Sequence, residues 1–290
     1  MTIALRKNYT TMLDEVLKNA SLSSVLDSDA SVAKEGNQSH EILVPKMTMD
    51  ALADIDRGTG NLVDGSVSLE YETKAFNFLR GRRFVVSQVD NEETADIAFG
   101  KLAAEFVRTQ VVPEKDAFCF AKIAGTTGIS KVAQGATLST GADVVAALAA
   151  AMDGMDNDEV PAENRHLFIT PALLGLVRDM DTTKSKEILA SFASITKVPQ
   201  SRFYTAIEQA DGTSTGETGG GYSKASAGKD INFLIVYKPA VMKFDKQVAS
   251  DIITPQENQH GYGWVQKYMN YGIVEVYDNK VKGIYLHHKA

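Results

Sequence analysis

Cysteine is almost missing: Cys119 stands alone in 290 residues. It has no partner for an internal disulfide and cannot build a thiolate metal cluster, so the chain reads as one folded in a reducing compartment, the cytoplasm by default. Long apolar runs are missing too. No window approaches the roughly 18 apolar residues of a membrane span. The first twenty residues carry Asp14 and Glu15 where a signal peptide needs an unbroken apolar stretch, so neither secretion nor anchoring is expected. There is no excess of positive charge. Against 30 Lys and Arg stand 37 Asp and Glu, a formal net charge of −7, which argues against a surface that grips nucleic acid throughout and leaves room only for a local basic patch. No period of 20–50 residues repeats itself. What remains is an ordinary globular composition, 44% hydrophobic and 8% aromatic, on a chain long enough for one large domain or two ordinary ones.

Over residues 1–26, Leu5, Tyr9, Met12, Leu13, Val16 and Leu17 have helical spacing, which predicts a short amphipathic N-terminal helix. Residues 27–40 are small, polar and aperiodic, a linker. From 41 to 89 the pattern is that of strands: ILVPKM, a turn-rich DIDRGTGNLVDG, VSLEYETKAFNFL and RRFVVSQV. Val67, Leu69 and Tyr71 alternate with Ser68, Glu70 and Glu72, the mark of a strand with one wet face. The reading is a projecting two-stranded hairpin, marginal in water on its own and in need of a neighbour. Asp90 with Glu93 resembles a capping box, and Ala95, Phe99, Leu102 and Phe106 continue a helix that Pro113 kinks or restarts and Gly125 ends. GADVVAALAAAMDG predicts a further helix, and RHLFITPALLGLVRDM a strand followed by a helix with Thr170 as N-cap and Pro171 first. Six glycines between 211 and 230 mark a mobile loop or the end of a surface hairpin, and three strands finish the chain.

Few motifs carry chemistry. Gly212-Thr213-Ser214-Thr215-Gly216 has the spacing of a hydrolase nucleophile elbow, but a polar EQAD precedes it and glycines follow it, so the strand and helix of an elbow are missing. Gly228-Lys229 lacks the first glycine and the hydroxyl of a phosphate-binding loop. His287 and His288 point to opposite faces of a strand, and His40, His166 and His260 lack i, i+4 partners, so no metal site is expected. Cys119 among Phe118, Phe120 and Ile123 reads as a small core hydrophobe. Arg80, Arg82 and Arg83 form the densest basic run, and Asp54, Asp56 and Arg57 sit at the hairpin turn; both groups read as charge-paired faces between subunits. No constellation supports an enzyme or a cofactor.

The order of parts is distinctive: amphipathic helix, polar linker, projecting hairpin, long helix, small α/β region, long C-terminal strands. Through ILVPKMTMDALADIDRGTG, FNFLRGRRFVVSQVDNEET, FVRTQVVPEKDAFCFAKIAG, NRHLFITPALLGLVRD and VPQSRFYTAI, with the C-terminal strands, it resembles the major capsid protein of tailed bacteriophages over essentially the whole chain. The resemblance implies the Hong Kong 97-type α+β capsid fold: N-arm 1–40, E-loop 41–89, P-domain with its spine helix 90–130, A-domain 131–245, returning P-domain strands 246–275 and a last A-domain piece 276–290. It implies a coat subunit of a double-stranded DNA phage or prophage, assembled in the bacterial cytoplasm as hexamers and pentamers and residing in the virion. Partners would be further copies of itself, with a separate scaffolding protein, a portal and decoration proteins in addition. Packaged DNA would be held weakly, as suits a net-negative wall. Tyr9, Met12, Leu13 and Val16, with Asp54, Asp56, Arg57, Arg80, Arg82 and Arg83, are the expected intersubunit contacts. Lys46 and Lys74 lie in the E-loop, yet nothing sets a catalytic carboxylate beside them, so no covalent crosslink is expected. The rivals are an encapsulin-type nanocompartment of the same fold, a serine hydrolase using Ser214, and a soluble ligand-binding α+β domain.

Overall fold

A computed structural model describes residues 20–28, 34–35, 41–55, 57–58, 60–89 and 102–290. Strands β1 (Lys34–Glu35), β2 (Glu41–Met49), β3 (Val67–Ala75) and β4 (Phe78–Ser87) come first. A long helix follows: α1 (Leu102–Phe106), a π turn (Val107–Val111) and α2 (Val112–Ala124). Next come β5 (Ser130–Lys131), α3 (Gly141–Asn157), β6 (Arg165–Ile169), α4 (Pro171–Asp179), α5 (Thr183–Ala190), β7 (Ser194–Lys197), β8 (Ile207–Gln209) and β9 (Tyr222–Lys224). The chain ends with β10 (Ile231–Tyr237), β11 (Val241–Ile253), β12 (Gly263–Val276) and β13 (Ile284–His288).

The densest packing surrounds a five-stranded sheet of order β5-β13-β10-β6-β7. RHLFI of β6 and INFLIVY of β10 are nearly continuous apolar runs, and every residue but Tyr237 is buried. That is what strands covered on both faces require. Alternate side chains serve two cores. Leu167, Ile169, Phe233 and Ile235 meet Val144, Leu148, Ala151 and Met155 of α3, whose inward residues recur at helical spacing. Phe168, Leu234 and Val236 meet Cys119, Phe120 and Ile123 of α2 on the other side. The start of α3 is fixed by a reciprocal capping box: the Asp143 amide donates to Thr140 Oγ1 (3.2 Å) and the Thr140 amide to Asp143 Oδ2 (3.0 Å). Thr170 and Pro171 open α4 as expected, although the Thr170 hydroxyl makes no cap bond.

Asp90, Glu93, Ala95 and Phe99 lie outside the described residues. As expected, the helix from Leu102 changes at Pro113, which stands in the first turn of α2. A π turn precedes the proline, whose missing N–H and bulky ring are incompatible with an unbroken α ladder, and the helix runs on to Gly125. The Gly125 amide donates to the Ala121 carbonyl (2.9 Å).

Two expectations for residues 27–89 are corrected. β4, read as part of the projecting hairpin, pairs instead with β12 from Phe78↔Gly272 to Ser87↔Gly263, and β11 completes that sheet. The alternation of a strand is the same in a ribbon and in a packed sheet, so the pattern alone does not assign its partner. The sheet lies on the helix through Phe78–Phe118 (5.1 Å between ring centroids), Phe84–Phe106 (4.8 Å) and Phe106–Tyr268 (5.7 Å). Gly81, between the arginines, is needed for a close approach: a Cβ there would stand 2.6 Å from the Tyr268 carbonyl oxygen. The hairpin proper is β2 with β3, and it is not two-stranded, because Lys34–Glu35 from the presumed linker pairs with Leu43 and Ile42 as a third strand.

His287 shows how tightly the five-stranded sheet is closed. Its ring stacks on Phe233 (4.9 Å) and meets the Asn232 amide group (3.0 Å). Burial, with the neighbouring His288, pushes its pKa down to about 4, and burial lowers that of His166 as well. His287 is neutral in the fold down to about pH 4, while the unfolded chain binds a proton there from about pH 6.5 downward. Acid therefore favours the unfolded state. Stability should fall between pH 6.5 and 4 at about 1.4 kcal/mol per pH unit from His287, and His287→Asn should flatten the slope, as urea midpoints across that range would read.

Candidate assembly surface

The expected N-terminal contacts Tyr9, Met12, Leu13 and Val16 lie outside the described residues, as do Asp56 and His40. Residues 20–28 cross the buried side of α2 as a strap with one 3-10 turn, Ser24–Leu26. Asp116, without exposed surface, accepts from Ser21 Oγ (3.0 Å), the Leu22 amide (2.9 Å), the Ser23 amide (3.2 Å) and Ser23 Oγ (2.6 Å), and pairs with Arg202 Nη1 (3.0 Å). Buried Lys243 donates to the Ser23 carbonyl (2.9 Å) and to Asp27 Oδ1 (2.5 Å). Ser28 donates through its amide to the Lys243 carbonyl (2.8 Å) and through its hydroxyl to that of Val241 (3.0 Å). Sequence reasoning missed this node. Its one signal was an aspartate in register with Cys119, Phe120 and Ile123 on an otherwise apolar helix stripe.

Among the described residues the ribbon is anchored at its root. Ile42 packs on Met242 and Ile273, Phe76 lies between Tyr271 (4.8 Å) and Phe244 (6.1 Å), and the Asn77 side chain donates to the Val274 carbonyl (2.8 Å) and accepts from the Val274 amide (3.1 Å). Lys74 bridges Glu72 (2.5 Å) and Asp278 (2.9 Å). Partial burial opposes its charge, but the two carboxylates outweigh that and hold the ammonium above the ordinary lysine range. The charge of Lys46 also reaches Asp278. Beyond the root no described residue covers the ribbon: Val67, Leu69 and Tyr71, the side expected to be dry, are all more than half exposed. The tip is likewise bare, with Leu52, Leu62 and Val63 exposed beside Asp54 and Arg57.

The basic run divides by strand parity. Arg80 Nε pairs with Glu114 Oε1 (2.7 Å), and its Nη2 donates to the carbonyls of Ala210 (2.8 Å) and Gly221 (3.3 Å). Arg82 Nη2 donates to the Thr218 carbonyl (2.8 Å). These two clasp the glycine loop of their own chain, while exposed Arg83 takes the opposite face. The loop closes the β8–β9 hairpin, so it is a hairpin end. Between it, β4 and the helix lies a cavity of about 570 Å³ lined by Phe84, Phe106, Tyr268, Asn270 and Arg80.

Ser214 is no nucleophile elbow. Its hydroxyl donates to Asp211 Oδ2 (2.6 Å), and the Thr213 and Ser214 amides donate to Oδ1 (2.7 and 2.8 Å), bonds that hold the Asp211 carboxyl far below the usual range. The group is a loop-closing cap on the surface. Cys119 is fully buried, and among the described residues no three His, Cys, Asp or Glu side chains converge as a metal site.

A projecting three-stranded ribbon, a long helix under a three-stranded sheet, and a two-core α/β layer together form the Hong Kong 97-type phage capsid fold. The similarity lies in shape alone, since no family model and no curated protein matches the sequence. The mature capsid of bacteriophage PhiM1 superposes with a TM-score of 0.69 at 12% identity, covering 99% of this chain and 92% of that one. The capsid of Myoviridae phage XM1 gives 0.60 at 9% identity over 100% and 99%. A virus-like particle from Pyrococcus furiosus gives 0.50 at 14% identity over 83% and 85%.

The clasp on the glycine loop is testable. Arg80→Ala leaves the Glu114 carboxylate and two carbonyls short of a donor, so it should cost about 1–3 kcal/mol and make residues 210–221 the first site of limited proteolysis. Arg82→Ala removes one exposed bond and should cost less than about 1 kcal/mol. Urea unfolding and mass mapping of the cuts read both.

Proposed function

We propose that this chain is the major capsid subunit of a tailed double-stranded DNA phage or prophage, a structural protein that acts by assembling hexamers and pentamers into an icosahedral shell and not by turnover. The observation that carries the reading is the match of the whole chain, ribbon included, to structures described as phage capsids. The surface supports it. An apolar ribbon face left bare on the subunit is what a neighbouring copy would cover. In this reading residues 1–40 form the N-arm, β2–β3 the E-loop, and β4, the long helix, β11 and β12 the P-domain. The five-stranded sheet with its helices forms the A-domain. Asp54, Asp56, Arg57 and Arg83 are intersubunit contacts, whereas Arg80 and Arg82 hold the glycine loop in cis. Scaffolding, portal and decoration proteins would be further partners, DNA a weakly held content, and the virion the final location.

The encapsulin-type compartment of the same fold is the second reading; matches described as phage capsids that cover 99–100% of this chain favour the phage reading. Purified chain, alone or with host extract, should give closed particles or rings of five and six in negative-stain microscopy and analytical ultracentrifugation. A compact monomer under every condition would overturn the capsid class. Co-purifying protein cargo would favour the compartment.

A crosslinking amine must lose its proton before it attacks, and the carboxylates around Lys74 oppose that loss. Assembled shells boiled in SDS should therefore run as one band of subunit mass. A ladder of covalent multimers would contradict this.

A further inference from the structure

The strap at residues 20–28 is joined to the body unlike any other segment. It makes no strand pairing, and its only regular structure is the three-residue turn Ser24–Leu26. Among its side chains only Ser23 and Leu26 are fully buried, with Leu22 packed partly against the same core. The remaining attachment is polar: it converges on the side chains of Asp116 and Lys243, with Ser28 adding bonds to the Lys243 and Val241 backbone carbonyls.

Such an attachment opens differently from a core. If the strap lifts, Asp116 keeps Arg202, and both Asp116 and Lys243 gain water in place of serine hydroxyls and amides, so neither charge is stranded in an apolar interior. The aromatic contacts beneath, Phe120 with Phe168 and Phe203 (5.1 Å each), belong to α2, β6 and the turn after β7, and do not involve the strap. Segments bound in this way open below the free energy of global unfolding. Cys119 sits directly under it: the thiol is wholly buried in the cluster that contains Leu26, and the Ser23 hydroxyl is within hydrogen-bond reach of it.

We infer that residues 20–28 are a releasable latch, held shut by Asp116 and Lys243, that opens as a unit while the two-core sheet stays folded and in doing so uncovers Cys119. Residue 20 begins the latch, so two latch states give one subunit two positions for the chain at that residue. In a closed shell, where identical chains occupy unequal environments, this is a local way to differ without repacking the core. That purpose rests on the capsid reading; the latch itself does not.

The experiment is thiol labelling of Cys119 in the unassembled full-length chain, using 5,5′-dithiobis(2-nitrobenzoate) at pH 8 across low urea concentrations. Burial pushes the thiol pKa up to about 11, so the closed form reacts slowly and labelling counts openings. The expected result is labelling with a urea dependence well below that of global unfolding. Ser23→Ala and Asp27→Asn, each removing one charge-assisted bond, should speed it about tenfold. Leu148→Ala, in the core on the other face of the sheet, should lower the global unfolding midpoint and leave the labelling rate unchanged. Labelling that carries the full urea dependence of unfolding, or that Leu148→Ala speeds in proportion to lost stability, would overturn the latch. Because the unassembled chain is measured, a latch that never opens leaves the capsid reading standing, and the absence of shells leaves the latch standing.

Discussion

A carboxylate with no access to water must find its partners within the chain, and Asp116 constrains much of the architecture for that reason. It lies on α2 between the five-stranded sheet and the strand that leads into β12, and its five bonds reach residues 21–23 in one direction and Arg202 in the other. The chain from β7 to β8 and the chain that enters from the N-terminus are thereby fixed to one turn of one helix. Lys243, at the start of β11, repeats the arrangement from the opposite side through Ser23 and Asp27. Removing one partner of such a network costs far more than the network adds over an apolar filling of the same volume. Its value lies in specificity, since an apolar strap could slide where serines bonded to a fixed carboxylate cannot.

Around this node the molecule divides by kind of stabilisation. The α/β layer has two cores, one on each face of β6 and β10, and carries its stability in close-packed apolar contact. Among the described residues the ribbon is held by Ile42, Val44, Phe76 and Asn77 at its root and by ion pairs around Lys74. Rotation about that root disturbs few buried contacts, so the ribbon's direction is set loosely by its own chain and firmly only by whatever covers Val67, Leu69 and Tyr71. A long lever with an apolar face on a rigid body is a poor design for a monomer and a serviceable one for a subunit.

How much of this was legible follows from which physical pattern each part leaves in a sequence. β6 and β10 were visible because burial on both faces demands continuous apolar runs, and the helix from Leu102 because its inward residues repeat every three or four. Cys119 was placed correctly by its neighbours alone. The errors fall where sequence adjacency hides spatial direction. Arg80, Arg82 and Arg83 are one cluster on paper but two faces in a strand, and the glycine loop that Arg80 and Arg82 hold lies about 130 residues downstream. β4 alternates equally well in a ribbon or a packed sheet. The strap, SLSSVLDS, has the composition of a linker because its bonds are made by serines and backbone amides, and only the charge within the apolar stripe of α2 pointed to a partner.

The same distinction explains why shape persists where sequence similarity does not. A TM-score of 0.69 over 99% of the chain coexists with 12% identity, because the fold demands apolar spacing, strand length and a few close approaches such as Gly81 on Tyr268, which many residue combinations satisfy. Buried polar nodes are different. Asp116 admits few substitutes once Ser23, Arg202 and Lys243 are in place, since each change strands a partner, so such a node is fixed within one chain yet free to be absent from another with the same topology. The layered body can therefore be built from many sequences, whereas the latch and the arginine clasp on the glycine loop each depend on particular side chains.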